Sequence, residues 1–236
     1  MVMTSGLENK VLKPTIPTLE NGDRLTRIEF ENRYSKSNVK TAELIEGIVY
    51  MASPLRITKH GNPHARIMTW LGIYWSATPG IELGDNSTIR LDGDNEPQPD
   101  ALLRIENGGQ SIISEDGYVE GAPELIVEIA ASTVSIDVHE KKKIYRRNQV
   151  QEYLVWRVED GEIDWFNLKE GEYIQLKPNS EGIICSENFP GLWLDKTALL
   201  TGNLIKVIEV VQLGLATAEH QNFVEKLSKE GVGGNN

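Results

Sequence analysis

The chain has one cysteine, Cys185, in 236 residues. An internal disulfide is therefore impossible. The thiol sits in GIICSENF, away from any His-rich stretch, so a metal–thiolate cluster or a Cys/His nucleophile lacks its partners. Cys185 reads as structural. Long apolar runs are absent too: nothing approaches the roughly 18 residues of a membrane span. The opening MVMTSGLENKVLKPTIPTLENGD has no basic start, apolar stretch or small-residue cleavage site, so a cytoplasmic protein with no membrane partner is expected. Positive charge is scarce, with 24 Lys and Arg against 35 Asp and Glu, a net charge of −11 and a pI near 4.9. That balance disfavours coat-like binding to nucleic acid, which needs surplus cations to displace counterions, but it leaves room for a local basic patch.

What is present is an ordinary globular composition, 39% hydrophobic and 25% charged, in a chain long enough for a substantial core. Residues 1–24 are polar and aperiodic and suggest a flexible arm. RLTRIEFENRYSKS, with Leu25, Ile28 and Phe30, reads as a short helix, and AELIEGIVYMASP as a hairpin turning at Glu46 and Gly47. HGNPHARIMTWLGIYWSA places Ile67, Met68, Leu71, Tyr74 and Trp75 on one helical stripe, a core face rather than a cofactor box, which ends before Pro79. Strands IELGD, STIRLD, PDALLRI and ELIVEIA follow, with a loop over 106–121 before the last of them. Then come a helix over SIDVHEKKKIYRRNQV and strands QEYLVWRV, EIDWFNL and EYIQLKP. Such alternation favours one mixed α/β domain over 25–200, with a C-terminal helix over 201–230 and a short tail over 231–236. In that last helix Ile205, Val207, Ile208, Val210, Val211 and Leu213 exceed what a lone surface helix needs, so a homo-oligomer, a dimer or higher, is expected.

The informative stretch is PELIVEIAAS. Strand alternation puts Glu124, Ile126, Glu128 and Ala130 on one face and Leu125, Val127 and Ile129 on the other, so Glu128 is central in an apolar strand. An ionised carboxylate there costs several kcal/mol unless a cation or a set of donors meets it. Asp100 opens PDALLRI, and pairing of the two strands would set it beside Glu128. A divalent metal relieves the repulsion of two such acids, and an all-oxygen site suits Mg²⁺ or Mn²⁺. In the next helix Lys141 shares a face with Ile144 and Tyr145 and so points inward, whereas Lys142, Lys143, Arg146 and Arg147 form a basic strip suited to nucleic acid. Two acids, one inward lysine and a phosphate-attracting edge fit metal-assisted phosphodiester hydrolysis.

Each residue also has a plainer reading. Asp100 can cap a turn, Glu128 can pair with Arg104, and Lys141 can reach solvent. Glu43, at the start of the hairpin, extends the acidic cluster as an accessory group, while Glu46 belongs to the turn. His60 is an accessory residue able to orient a water or a phosphate. With His64 it resembles a zinc pair, but no Glu-rich partner motif accompanies it and Pro63 interrupts regular helix. Asp137, also accessory, caps the lysine helix or holds Lys141 from one turn away, the cap being the favoured role. DGDNEPQPD lacks calcium-loop spacing and reads as a turn.

Taken in order, ELIEGIVYMASP, His60, PD, ELIVEIAAST, Asp137, Lys141, Tyr145, EYLVW and FPGLWLD resemble the Uma2 (Uma-two) family of the PD-(D/E)xK, restriction-endonuclease-like superfamily, from about Leu25 to Leu200. The resemblance implies a mixed sheet flanked by helices, DNA as substrate, and Asp100 and Glu128 as ligands of Mg²⁺ or Mn²⁺. The superfamily pattern would place lysine at position 130, where this chain has Ala130; in the resembling family the lysine comes from the next helix, and Lys141 matches it. The expected activity is a metal-dependent endonuclease with Asp100, Glu128 and Lys141 as its catalytic residues. The rivals are a catalytically silent nucleic-acid-binding or assembly module of the same fold, and a non-nuclease metal hydrolase.

Overall fold

The computed structural model describes residues 16–51, 56–131 and 136–233. In chain order the elements are α1 (Arg27–Tyr34), β1 (Ala42–Ile45), β2 (Ile48–Met51), a π-helical turn (Ile57–Gly61), α2 (Asn62–Ser76), β3 (Ile81–Asp85), β4 (Ile89–Arg90), β5 (Ala101–Ile105), β6 (Ile112–Ile113), β7 (Val119–Glu120) and β8 (Leu125–Ala130). A second π-helical turn (Ile136–Lys141) runs into α3 (Lys142–Arg147), followed by β9 (Glu152–Arg157), β10 (Glu162–Lys169), β11 (Glu172–Gln175), β12 (Ile183–Cys185), β13 (Trp193–Asp195), α4 (Lys196–Thr201), α5 (Leu204–Leu215) and α6 (Ala218–Gly233).

Six strands form the main sheet in the order β11-β10-β9-β8-β5-β3. Its β8–β9 pair is parallel and its other pairs antiparallel, so the sheet is mixed and helices flank it, as expected from the alternating pattern. All six residues of β8 are buried. Alternation sends Leu125, Val127 and Ile129 against Ile67, Trp70, Leu71 and Tyr74 of α2 and Val207 and Val211 of α5. Ile126 and Ala130 face the other way, toward Ile144 and Tyr145 of α3 and Tyr153 of β9. Each fully buried aliphatic side chain contributes about 1.5–3 kcal/mol, less than the roughly 3–5 kcal/mol that one unmatched acid on the same strand would remove. The acids of β8 therefore need partners. Glu124 has backbone ones, accepting from Ile105 N and Gln110 N at 2.8 Å each, which pins the segment after β5 to the sheet; the 106–121 stretch expected to be a loop carries β6 and β7, which join β4 in a separate three-stranded sheet.

Several expected details differ. In α1, Phe30 is buried but Ile28 is 78% exposed, because the helix rests one narrow side on the hairpin. In α2, Trp75 is half exposed while Trp70 is buried, its indole donating to Trp193 O at 2.9 Å. Residues 16–24, the end of the segment expected to be a flexible arm, include Leu19, buried with Leu25, Phe30, Leu44 and Val49, and Gly22 N donates to Val49 O at 2.8 Å. Residues 1–15 and 234–236 lie outside the described residues. The single C-terminal helix is two, α5 and α6: the Thr217 hydroxyl accepts from His220 N at 3.2 Å to start the second, and a Cβ on Gly214 would stand 2.2 Å from Gly191 O. Val207, Val210 and Val211 are buried within the chain, leaving Ile205 and Leu213 exposed, so half of the stripe read as an oligomer surface is core. Among the described residues no helix is long and apolar enough to cross a membrane.

Candidate active site

The β5–β8 ladder runs Leu103↔Leu125, Leu102↔Ile126, Ala101↔Val127. One step further sets Asp100 opposite Glu128, on the same face of the sheet. Both are buried. Asp100 Oδ2 accepts from Ile129 N at 2.6 Å, while Oδ1 lies 2.7 Å from His60 Nε2. His60 arrives on the π-helical turn ahead of α2, and Pro63 follows in the first turn of α2, where a missing N–H costs nothing. The hydrogen bond to Asp100 raises the His60 pKa, against the opposing pull of burial. His64 stacks on His60 at 5.7 Å between centroids, but its Nε2 lies 3.0 Å from Asp85 Oδ1 and 3.2 Å from Asp100 O. The two imidazoles thus lie against different carboxylates, His60 against Asp100 and His64 against Asp85.

Lys141 ends the second π-helical turn and is 4% exposed. Its Nζ lies 2.8 Å from Glu43 Oε1, 3.0 Å from Glu128 Oε1 and 3.6 Å from Asp137 Oδ1. Glu43 comes from β1, Glu128 from β8 and Asp137 from the lysine's own turn, so one ammonium draws together three separate segments. Glu43 Oε1 also accepts from Gln98 N at 2.7 Å, two residues ahead of Asp100. Glu128 Oε1 takes a second donor, the Tyr145 hydroxyl, at 2.7 Å. Burial alone would lower the Lys141 pKa, but Glu128, Glu43 and Asp137 more than offset it and the ammonium holds its proton well above the ordinary lysine range. Burial, with Asp137, Asp100 and Glu43 adding to it, pushes the Glu128 carboxyl well up despite Lys141.

The plainer readings fare unevenly. Arg104 pairs with Glu82 and donates to Ser111, not to Glu128. Lys141 is turned inward rather than to solvent, and Asp137 faces it. DGDNEPQPD is a turn, closed by the bridge between Asp92 and Asn95, and Glu46 sits in the hairpin turn at φ 50°. In the basic strip, Lys142 lies over the Phe166 ring at 3.4 Å, Arg146 pairs with Glu172, and Arg147 pairs with Glu46 and Asp92. Lys143 is exposed. Burial raises the Cys185 pKa, consistent with an inert thiol.

Asp100 and Glu128 offer carboxylate oxygens, the donors a hard divalent cation takes, while Glu43, Glu128 and Asp137 surround the Lys141 ammonium. Among the described residues no three His, Cys, Asp or Glu side chains form a ready-made metal cage.

A sequence profile described as "Putative restriction endonuclease", Uma2, matches residues 28–197, from within α1 to the start of α4. The chain belongs to the Uma2 family. The matched span holds the whole cluster, and membership supports a nuclease-like function for this Uma2 protein, whose α5 and α6 lie beyond the match. A crystal structure titled as a "putative nuclease belonging to DUF820", from Anabaena variabilis, is similar at 14% identity and a TM-score of 0.49, over 72% of this chain and 97% of that one. No curated protein matches.

Sequence reasoning did not assign Tyr145 its bond to Glu128. The signal was there, since a tyrosine four positions after an inward lysine shares its helical face. It also passed over Glu152, a fully buried carboxylate that accepts from Trp165 Nε1 at 2.9 Å, Ser186 Oγ at 2.9 Å and the backbone N–H groups of Glu187 and Asn188 at 2.7 and 2.9 Å. Those donors anchor the segment after β12 to the sheet; Glu152 lies at the start of β9, away from Glu128.

Proposed function

We propose that this protein is a Mg²⁺- or Mn²⁺-dependent endonuclease that hydrolyses phosphodiester bonds in DNA. The observation that carries the reading is a buried lysine held by Glu128 and Glu43 beside an acid, Asp100, on the neighbouring strand. Asp100 and Glu128 would hold the ion. The bound ion supplies polarisation of the phosphoryl oxygen and a water of lowered pKa. Lys141, protonated across the neutral range, offsets the negative charge that develops on the phosphoryl oxygens. His60 fixes the orientation of Asp100 through Oδ1, Ile129 N fixes the other oxygen, and Glu43 and Asp137 keep the ammonium at the sheet edge. DNA is favoured as substrate by the family description alone, and Lys143 is the group of the basic strip open to a phosphate.

Cleavage of supercoiled plasmid in Mg²⁺ tests this, with Asp100→Asn and Glu128→Gln as variants. Both should lose cleavage by at least about 100-fold, more than loss of an outer-sphere partner produces, while keeping their folded circular dichroism. Lys141→Ala should lower cleavage without lowering Mn²⁺ binding. DNA binding without cleavage, indifferent to Asp100 and Glu128, would instead establish the silent binding module. The assembly form of that rival has one observation in its favour: three of the four strip cations are already engaged within the chain, which leaves little free charge for nucleic acid.

A further inference from the structure

We infer that Lys141 and the divalent cation occupy the acidic site in exchange: the ammonium is the counter-ion of Glu128 in the metal-free protein, and metal loading requires it to leave Glu128 while keeping Glu43 and Asp137. This rests on the metal-dependent reading above and adds to it how the site is regulated.

Three observations lead here. The ammonium has the surroundings of a bound cation, with carboxylate oxygens at 2.8, 3.0 and 3.6 Å from three segments and almost no exposure. A divalent ion on Glu128 would sit against a full positive charge on the same carboxylate, and at such separations in a buried site that repulsion is costly. Finally, the two ends of the arrangement are built differently. Glu128 is fixed on a central strand, and the Tyr145 hydroxyl, at 2.7 Å, keeps its Oε1 in place when the lysine withdraws. Lys141, by contrast, ends a π-helical turn that becomes α-helical at the next residue. A π-helical turn carries one residue more than an α-helical one and is found frequently at functional sites, and Tyr145 lies beyond it in α3. Asp137 lies on the same turn and travels with the lysine, and Glu43 stands on the hairpin side, so both remain partners after the exchange.

The test is Mn²⁺ binding by calorimetry and electron paramagnetic resonance on the full chain, with no nucleic acid present. Lys141→Met should bind Mn²⁺ at least about tenfold more tightly than the wild type, because the ion no longer displaces a counter-ion. Lys141→Arg should stay within about threefold of wild type, as should Lys143→Met, which removes a charge of the same helix from an exposed position. Without metal, Lys141→Met should melt below the wild type, and saturating Mn²⁺ should narrow that gap, since ligand linkage stabilises most the protein that binds most tightly. If Lys141→Met is unfolded without metal, recovery of the fold with Mn²⁺ supports the exchange, and the affinity comparison is made on Lys141→Gln. A neutral variant that binds Mn²⁺ no more tightly than the wild type, in a protein whose binding is lost on Asp100→Asn, overturns the exchange and leaves the metal site standing. Absence of Asp100-dependent binding in every variant overturns both.

Discussion

Lys141 Nζ lies 3.0 Å from Oε1 of Glu128, thirteen positions earlier in the chain, and both groups are almost wholly buried. This pair is the reason an acid is tolerated midway along an otherwise apolar strand. Removing one partner of a buried pair costs about 3–5 kcal/mol, more than the full burial of one aliphatic neighbour contributes, so the strand and the π-helical turn are energetically tied. The pair also fixes where chemistry can occur. Asp100 is brought alongside by strand register, His60 by a helix start and Glu43 by a hairpin, so the site belongs to no single element.

Tyr145→Phe removes one of two donors to Glu128 Oε1 and leaves the ring packing against Tyr153, 5.1 Å away between centroids. The loss of a hydrogen bond to a charged or partly charged group should lower stability by about 1.5–3 kcal/mol. Urea unfolding is expected to show a lower midpoint with an unchanged slope. An unchanged midpoint would mean the hydroxyl contributes nothing to holding Glu128.

If DNA is the substrate, the basic strip should not act uniformly. Lys143 is exposed, so Lys143→Ala should weaken DNA binding and lower the slope of log affinity against log salt by about 1. Arg147 is occupied by Glu46 and Asp92, at 2.8 and 3.4 Å, and Arg147→Ala should leave that slope nearly unchanged. Binding measured across a salt series separates the two. Equal slopes for both variants would show that the strip is not where phosphate is met.

The order of strands and helices was legible because their periodicities are strong and turn residues separate them. Glu128 and Lys141 were legible for a related reason: each breaks the apolar pattern of its own face, and a face can be read from one segment. What could not be read were the consequences of distant segments meeting. The hairpin acid Glu43 could be placed near the cluster but not on the lysine, and Arg104 stood as the plainer partner for Glu128 until β3 supplied Glu82. The π-helical turn before α3 has no sequence signature. The break between α5 and α6 was missed because the apolar pattern continues through Gly214, whose role is a backbone approach to Gly191.

A second buried acid offers a test of the fold away from Glu128. Glu96 exchanges backbone hydrogen bonds with Leu44 of β1 at 2.8 and 3.1 Å, and its side chain is 4% exposed. Burial first, then its hydrogen bond to Glu31, push its pKa up to about 8 from an ordinary value of 4.5, with Arg90 and Arg27 pulling the other way. A carboxyl whose folded pKa lies above its unfolded value binds more protons in the native state throughout that interval. Stability from this site is therefore greatest at low pH, declines as pH rises from about 4.5 to about 8, and is level above that. Glu96→Gln keeps the shape and removes the titration. Urea midpoints measured from pH 5 to 9 should fall for the wild type relative to the variant across the window, leaving Glu96→Gln the more stable protein at pH 9. Parallel profiles would show that Glu96 ionises in the folded protein as it does in the unfolded chain, and that Glu31 and Glu96 do not share a proton.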